Sequence, residues 1–119
     1  MPETGSYEGS CHCGAVRYQV TTDLAQVISC NCSICRRHGF LWSFVAPQQF
    51  TLASGAEAVR DYQFNKHAIH HLFCATCSVE SYAHGRKPDG SEAVAINVRC
   101  LEGVDLDALK PIPVDGRSR

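Results

Sequence analysis

The chain has 119 residues, 45% of them apolar, a formal net charge of −1 and a pI of about 6.6, which suits one domain with a modest core. Its basic residues are scattered apart from Arg36-Arg37 and Arg86-Lys87, so no surface is built to neutralise a row of phosphates. The N-terminal segment has no basic region followed by an apolar run, and no apolar stretch reaches membrane-spanning length. We therefore expect a cytoplasmic monomer or homodimer with no nucleic-acid or membrane partner.

Short runs of β-branched and aromatic residues, broken by Gly, Asp, Asn and Pro, predict a mostly-β fold. The predicted strands cover 15–22, 25–30, 40–47, 59–65, 68–74 and 92–101. The first two are expected to pair across a turn at Asp23. In the third, Phe40, Trp42 and Phe44 share one face and are expected to pack into the core. In the last, apolar residues alternate with small or polar ones, which predicts one buried face.

Helical structure is expected only as one or two turns near 33–39 and near 105–110, the second with an aspartate placed to cap it. The chain ends, 1–6 and 112–119, are polar or rich in Pro and Gly and are expected to run loosely over the surface. A single domain is therefore predicted over 7–111.

Eight cysteines are the most informative feature of the composition. Without an export signal, the expected compartment is reducing, and the cysteines are expected to bind metal rather than form disulfides. They fall into "CHC" at 11–13, "CNCSIC" at 30–35 and "CATC" at 74–77, with Cys100 standing alone. Close neighbours such as Cys11 and Cys13 rarely reach disulfide geometry with each other, whereas adjacent thiolates readily converge on a metal.

Two of these motifs have the spacing of the ligand pairs in a closed structural zinc site. The predicted ligands are Cys11, Cys13, Cys74 and Cys77. The two pairs are distant in the chain, so one metal would join the two halves of a small β domain. Such a site does not exist in the unfolded chain, and the metal's binding energy therefore becomes folding energy.

The triplet Cys30, Cys32 and Cys35 has no obvious fourth partner, as in catalytic zinc sites that leave one position open for water or substrate. Alternatively, Cys100 or a histidine closes a second structural site, or the three thiols bind metal only weakly. An iron–sulfur cluster would use the same ligand type. Because Cys100 lies on the apolar side of its predicted strand, we interpret it as a small buried hydrophobe.

One histidine is a candidate for chemistry at the triplet. His38 follows Cys35 within a turn and is placed to carry protons near neutral pH. His70 and His71 are neighbours on a predicted strand, so they face opposite sides and cannot both serve one site. The remaining histidines are expected to point away from the metal ligands or into solvent: His12, His67 and His84.

The ordered motifs "GSCHCGAVRY", "CNCSICRR", "LFCATC" and "AINVRCLEGVD" resemble the glutathione-dependent formaldehyde-activating enzyme family, which also includes relatives of centromere protein V. The resemblance extends over about 9–111. It implies a β-tent (Mss4-like) fold, in which small antiparallel sheets lean together over a structural zinc. A glycine commonly follows the second CxxC in this family, where this chain has Ser78, and Cys100 stands where threonine or a similar residue is expected.

The resemblance also implies two Zn²⁺ ions per chain, with glutathione and an aldehyde meeting at a second, open zinc on Cys30, Cys32 and Cys35. The expected enzyme is a carbon–sulfur lyase of the S-(hydroxymethyl)glutathione synthase type, run toward the hemithioacetal. Arg36 and Arg37 are then candidates to bind a glutathione carboxylate. The alternative is a non-catalytic zinc module that binds a protein partner or glutathione, favoured by the absence of a convincing general base beside the triplet.

Overall fold

The computed structural model of the protein describes residues 5–24, 26–63, 69–86 and 89–115. Within these ranges the chain is mostly β, as predicted, with one α-helix and short 3₁₀ turns. The helix, α1, is Ser33–His38. The strands are β1 (Gly5–Ser10), β2 (Arg17–Thr22), β3 (Ile28–Cys30), β4 (Trp42–Val45), β5 (Phe50–Ser54), β6 (Val59–Tyr62), β7 (Ile69–Cys74), β8 (Tyr82–Arg86), β9 (Glu92–Asn97) and β10 (Ile112–Val114).

The smaller sheet has three antiparallel strands in the order β1-β2-β5. Side chains of β2 alternate between exposed and buried, with Tyr18 and Val20 buried, which confirms the half-buried strand predicted there. Its predicted partner was wrong, because β2 pairs with β1 and β5, while β3 pairs with β4 and β10. The true partner β1 has the sequence GSYEGS, whose glycines and serines give little strand signal.

The larger sheet has seven strands in the order β10-β3-β4-β9-β8-β7-β6. Its neighbouring strands are antiparallel except for the parallel pair β10 and β3. Ile112 to Val114, expected in a loose terminus, form β10, and Gly5 and Ser6, expected in the other, belong to β1. Residues 5–6 and 112–114 are held because their backbone groups complete a sheet ladder, which does not require apolar side chains.

The main core lies between the two sheets. The buried Tyr18 of β2 packs edge-on against Tyr82 of β8, with ring centroids 5.9 Å apart. Its hydroxyl donates a hydrogen bond to the carbonyl oxygen of Ser81 at 2.8 Å. From β9, Val94 and Ile96 belong to the same core cluster. The two sheets are therefore joined by aromatic packing and by a buried hydrogen bond.

The opposite face of the larger sheet carries a second, smaller core, and we call it the helix face because α1 packs there. His71, Ala83 and Ala95 are aligned across β7, β8 and β9, and therefore share this face. Ala83 and Ala95 pack with Phe40, Trp42 and Cys35. Since β9 is covered on both faces, the prediction of one buried face was wrong.

The aromatic residues around β4 divide between core and solvent. Phe40 and Trp42 are buried, as predicted, but Phe44 is 51% exposed, so its assignment to the core was wrong. Phe44 lies opposite Ala95 on the helix face, beyond the part that α1 and Phe40 cover. Burial here depends on how far the helix extends over the sheet, which alternation along one strand does not reveal.

Both predicted helical turns are confirmed. The helix α1 ends at Gly39, whose φ of +69° is favourable for glycine and whose N–H donates to the carbonyl oxygen of Cys35. Arg99 Nε donates to the carbonyl oxygen of Gly39 at 2.8 Å and attaches this end of the helix to the 3₁₀ turn that follows β9. The second turn, Leu106–Ala108, is 3₁₀, and the side chain of Asp105 caps it. No helix in the described ranges is long and apolar enough to cross a membrane.

Candidate functional site

The four cysteines predicted to form a structural site come together at one end of the molecule. Cys11 and Cys13 follow β1, while Cys74 ends β7 and Cys77 lies in the turn after it. The four Sγ atoms lie within 4.8 Å of one another, and Cys13 Sγ is 3.6 Å from both Cys11 Sγ and Cys74 Sγ. Thiolates about 2.3 Å from a tetrahedral metal have sulfur atoms about 3.8 Å apart, so this spacing fits a metal.

Backbone amides support this four-cysteine group. The N–H of Val16 donates to Cys11 Sγ, and the N–H of Thr76 donates to Cys74 Sγ, each at 3.4 Å. Desolvation acts to raise the pKa of Cys77, but hydrogen bonds from the backbone N–H groups of Val79 and Cys13 and from neighbouring thiols lower it to about 6. Amides arranged in this way favour the thiolate form that a metal binds.

The second group, Cys30, Cys32 and Cys35, lies where β3 leads into α1. Cys30 ends the strand, Cys32 is the residue before the helix, and Cys35 lies in its first turn, so a local strand–helix connection brings the three together. Their Sγ atoms lie within 4.8 Å of one another. Among the described residues, no other Cys, His, Asp or Glu side chain places a ligand atom within the same distance. Cys100 therefore does not complete this group.

The surroundings of the triplet differ from one thiol to the next. Burial raises the pKa of Cys35, and a hydrogen bond from Trp42 Nε1 to Cys35 Sγ, 3.3 Å long, opposes this. Partial burial also acts to raise the pKa of Cys32, but hydrogen bonds from the backbone N–H groups of Cys35 and Ile34 and from the other thiols lower it. The N–H of Cys32 donates to Cys30 Sγ at 3.4 Å. Cys35 is buried, whereas Cys30 and Cys32 are half-buried and accessible from outside.

A cavity of about 560 Å³ lies between α1 and the β6–β7 end of the helix face. The size is within the range of small-molecule sites. Its lining residues come from the helix, the sheet and the segment before β8: Ser33, Ile34, Arg37, His38, Tyr62, Phe73 and Glu80. Ser33 and Ile34 lie between Cys32 and Cys35 in the chain, so the cavity borders the helix that carries the triplet, although no triplet cysteine belongs to its lining.

His38 and Arg37, both predicted to act beside the triplet, line this cavity. The ring of His38 is exposed and stacks on Phe40, with centroids 4.7 Å apart. Arg37 donates from Nη1 to the carbonyl oxygen of Ser33 at 2.9 Å, which directs its side chain along the helix. Arg36 is exposed and outside the lining.

The sequence interpretation missed a buried pair, His71 and Glu80. His71 Nδ1 is 2.8 Å from Glu80 Oε2, and the two side chains are only 5% and 3% exposed. His70 faces the other way, with Nδ1 2.7 Å from Asp61 Oδ2, so the prediction that the two histidines face opposite sides is confirmed. A histidine on a strand and a glutamate in a loop nine residues later carry no local signal of contact.

The other histidines agree with their predicted roles where the structure describes them, but the assignment of Cys100 to the buried face of a strand was wrong. His12 and His84 are exposed, and His67 lies outside the described residues. The strand before Cys100 ends at Asn97, and Cys100 is half-buried in the 3₁₀ turn that follows, because the chain leaves the sheet there. Burial raises the pKa of Cys100 to about 11, as do the nearby thiols of Cys11 and Cys77.

The chain is similar to a known protein family and to a protein of known structure. The family model described as "Glutathione-dependent formaldehyde-activating enzyme" matches residues 6–113. A Rhodobacter sphaeroides protein of known crystal structure is 33% identical, with a TM-score of 0.78. The match covers 89% of this chain and 97% of that protein.

Proposed function

Because this chain belongs to the glutathione-dependent formaldehyde-activating enzyme family, we propose that it joins glutathione, or another small thiol, to a small aldehyde such as formaldehyde. The thiol sulfur adds to the carbonyl carbon, the S–H proton leaves the sulfur, and the carbonyl oxygen gains a proton. The product is a hemithioacetal, and nothing is oxidised or released. The activity would be of the carbon–sulfur lyase type, run in the direction of synthesis.

The observation that supports this proposal best is the three-thiol group with no fourth ligand atom among the described residues. Cys30, Cys32 and Cys35 would hold a zinc ion with one open position. A zinc ion there lowers the proton cost of ionising a thiol and polarises a carbonyl oxygen. The four-cysteine group would hold a second, structural zinc with no open position. Eight free thiols suit a reducing compartment, and the proposal places the protein in the cytoplasm.

The cavity beside α1 is the proposed site for the thiol substrate. Glutathione carries two carboxylates, and the guanidinium of Arg37 in the lining is a suitable partner for one of them. The apolar parts of Ile34, Tyr62 and Phe73 would exclude water from the sulfur end. Since the addition also proceeds without a catalyst, the chain's own contribution is to bring the two substrates together and to manage one proton.

The direct test is NMR exchange spectroscopy on glutathione and formaldehyde at equilibrium. The wild-type protein is expected to accelerate exchange between free and hydroxymethylated glutathione, and a Cys32→Ala variant is expected to return it to the uncatalysed rate. Cys100→Ala is the matched control, because it removes a cysteine that belongs to neither group. Saturable glutathione binding without acceleration for any aldehyde would instead favour a non-catalytic zinc module.

A further inference from the structure

The buried pair of His71 and Glu80 has no part in the metal groups, and its position suggests a role of its own. Glu80 lines the cavity, which is the space proposed for the thiol, and its side chain is 97% enclosed. His71 lies on the helix face, directly across the β7–β8 ladder from Ala83 of the second core. The pair therefore connects the wall of the cavity to the core behind the triplet.

Aromatic contacts connect the same pair to the cysteine triplet. The ring of Phe40 is nearly parallel to that of His71, with centroids 6.5 Å apart. Phe40 also packs on Trp42 at 4.4 Å, and the indole N–H of Trp42 donates to Cys35 Sγ. Two aromatic rings, those of Phe40 and Trp42, therefore lie between His71 and Cys35 along this chain of contacts. His38 stacks on the same Phe40 from the cavity side.

The cost of burying this pair argues against a purely structural role. Removing two ionisable groups from water is expensive, and apolar side chains at such positions are often equally or more stabilising. The same strand carries a comparable pair, His70 and Asp61, whose side chains are 35% and 39% exposed. A buried ionisable pair that borders a cleft is a candidate for a functional site.

We propose that the Glu80 carboxylate, held by the His71 imidazole, takes the S–H proton of the bound thiol and returns it to the aldehyde oxygen. This inference rests on the proposed function. Glu80 would act on the substrate as general base and then as general acid, while His71 is a positioning residue that donates from Nδ1 to Oε2 and holds the carboxylate against the cavity. The S–H bond and the carbonyl π bond break, one C–S bond and one O–H bond form, and the pair ends as it began.

The test compares Glu80→Gln, which keeps the side-chain shape and removes the base, with Asp61→Asn. Asp61 makes the same kind of contact to the neighbouring histidine but lies outside the cavity lining, so it is the matched control. In the NMR exchange assay, Glu80→Gln is expected to lower the protein-dependent rate about 100-fold, as loss of a general base does. The Asp61→Asn variant is expected to keep the wild-type rate.

A second readout does not depend on turnover. A free thiol is mostly protonated at pH 7, so its binding as a thiolate releases a proton unless the protein retains it. Calorimetric titration with glutathione in two buffers of different ionisation enthalpy counts these protons. Wild type and Asp61→Asn are expected to release almost none, whereas Glu80→Gln is expected to release about one more per glutathione bound.

The exchange rate and the proton count together distinguish failure of this inference from failure of the proposed function. Equal proton release and equal exchange rates in wild type and Glu80→Gln would show that the pair is structural and would overturn the inference while leaving the proposed function in place. A wild-type protein that binds glutathione without acceleration would overturn the proposed function, and the transfer to the aldehyde with it. No glutathione binding would overturn both.

Zinc content and thermal unfolding show whether the Glu80→Gln variant is correctly folded. Should Glu80→Gln not fold, His71→Gln carries the same test, because its amide can also donate to Glu80. We expect a smaller loss of rate for that variant, of about tenfold, since the carboxylate remains and only its support is changed. Unchanged rate and proton count in His71→Gln would then overturn the inference.

Discussion

At the scale of single residues, Ser78 and Trp42 show how the two cysteine groups are held. Ser78 follows Cys77 with a φ of +68°, in the left-handed region that disfavours side chains. Its N–H donates to the carbonyl oxygen of Cys74 at 2.9 Å, which closes the turn of the CxxC motif. Members of the family commonly have glycine at this position. The left-handed backbone conformation explains this preference, because glycine adopts it without strain.

We expect Ser78→Gly to raise the free energy of unfolding of the metal-loaded protein by up to about 1 kcal/mol. Relief of the left-handed conformation contributes about 1–2 kcal/mol, and the greater freedom of glycine in the unfolded chain offsets part of it. Urea unfolding at a fixed zinc concentration measures the difference. The same change at Ser29, an exposed position in β3, is the control and is expected to lower stability by about 0.5–1 kcal/mol. A loss of stability in both variants would contradict strain at Ser78.

The indole of Trp42 acts on the triplet through its hydrogen bond to Cys35 Sγ. We expect Trp42→Phe to weaken zinc binding at the triplet about tenfold, because removing the partner of a metal ligand typically has effects of that size or greater. Competition with a chromophoric chelator measures the affinity. Phe40→Leu, which alters packing beside Trp42 but removes no hydrogen bond to sulfur, is the control. An equal loss of affinity in both variants would assign the effect to packing.

At the scale of elements, β1 shows why a weak strand sequence still forms a specific strand. Gly9 of β1 lies against the ring of the buried Tyr18, and a Cβ at Gly9 would lie 2.4 Å from two ring carbons. The ring cannot move away easily, because its hydroxyl is hydrogen-bonded to the carbonyl oxygen of Ser81. The glycine that weakens the strand signal thus lets β1 approach the core.

Gly9→Ala is therefore expected to destabilise the protein by about 1–3 kcal/mol, the usual cost of overpacking a core. Gly5→Ala is the matched control in the same strand, because its Cβ would meet only Tyr7 at 3.5 Å, an ordinary contact. Thermal unfolding of the two variants gives the comparison. If Gly9→Ala were as stable as Gly5→Ala, Tyr18 would not be fixed in the way we describe.

At the scale of the whole molecule, the two cysteine groups serve separate parts of the core. Cys11 and Cys74 belong to the main core between the sheets, whereas Cys35 belongs to the second core under α1. The four-cysteine group joins the loop after β1, in one sheet, to the end of β7, in the other. The triplet lies within one strand–helix connection, so it does not link segments that are distant in the chain.

Loss of metal from the four-cysteine group is therefore expected to destabilise the fold much more than loss of metal from the triplet. Structural zinc contributes about 10–16 kcal/mol in zinc-finger peptides, comparable to the whole stability of a domain. We expect Cys74→Ala to lose cooperative unfolding, and Cys32→Ala to keep it while its zinc content falls from about two per chain to about one. Elemental analysis and thermal unfolding measure these effects. About one zinc in both wild type and Cys32→Ala would mean that the triplet does not retain metal.

The sequence by itself determined the features that depend on local spacing. The cysteine groups, the turn of helix at 33–39 and the half-buried strand β2 were predictable because ligand spacing and alternation act over a few residues. The predicted pairing of β2 with β3 was wrong, because pairing depends on which distant segments compete for each edge.

Only the tertiary structure decided which side chains meet across strands. The contact of His71 with Glu80, the exposure of Phe44 and the burial of both faces of β9 all depend on strand order, register and the reach of α1 over the sheet. These are long-range properties, since a strand's own pattern records which residues share a face but not what covers that face. For this reason the sequence did not reveal the candidate base, whereas it did reveal the two cysteine groups.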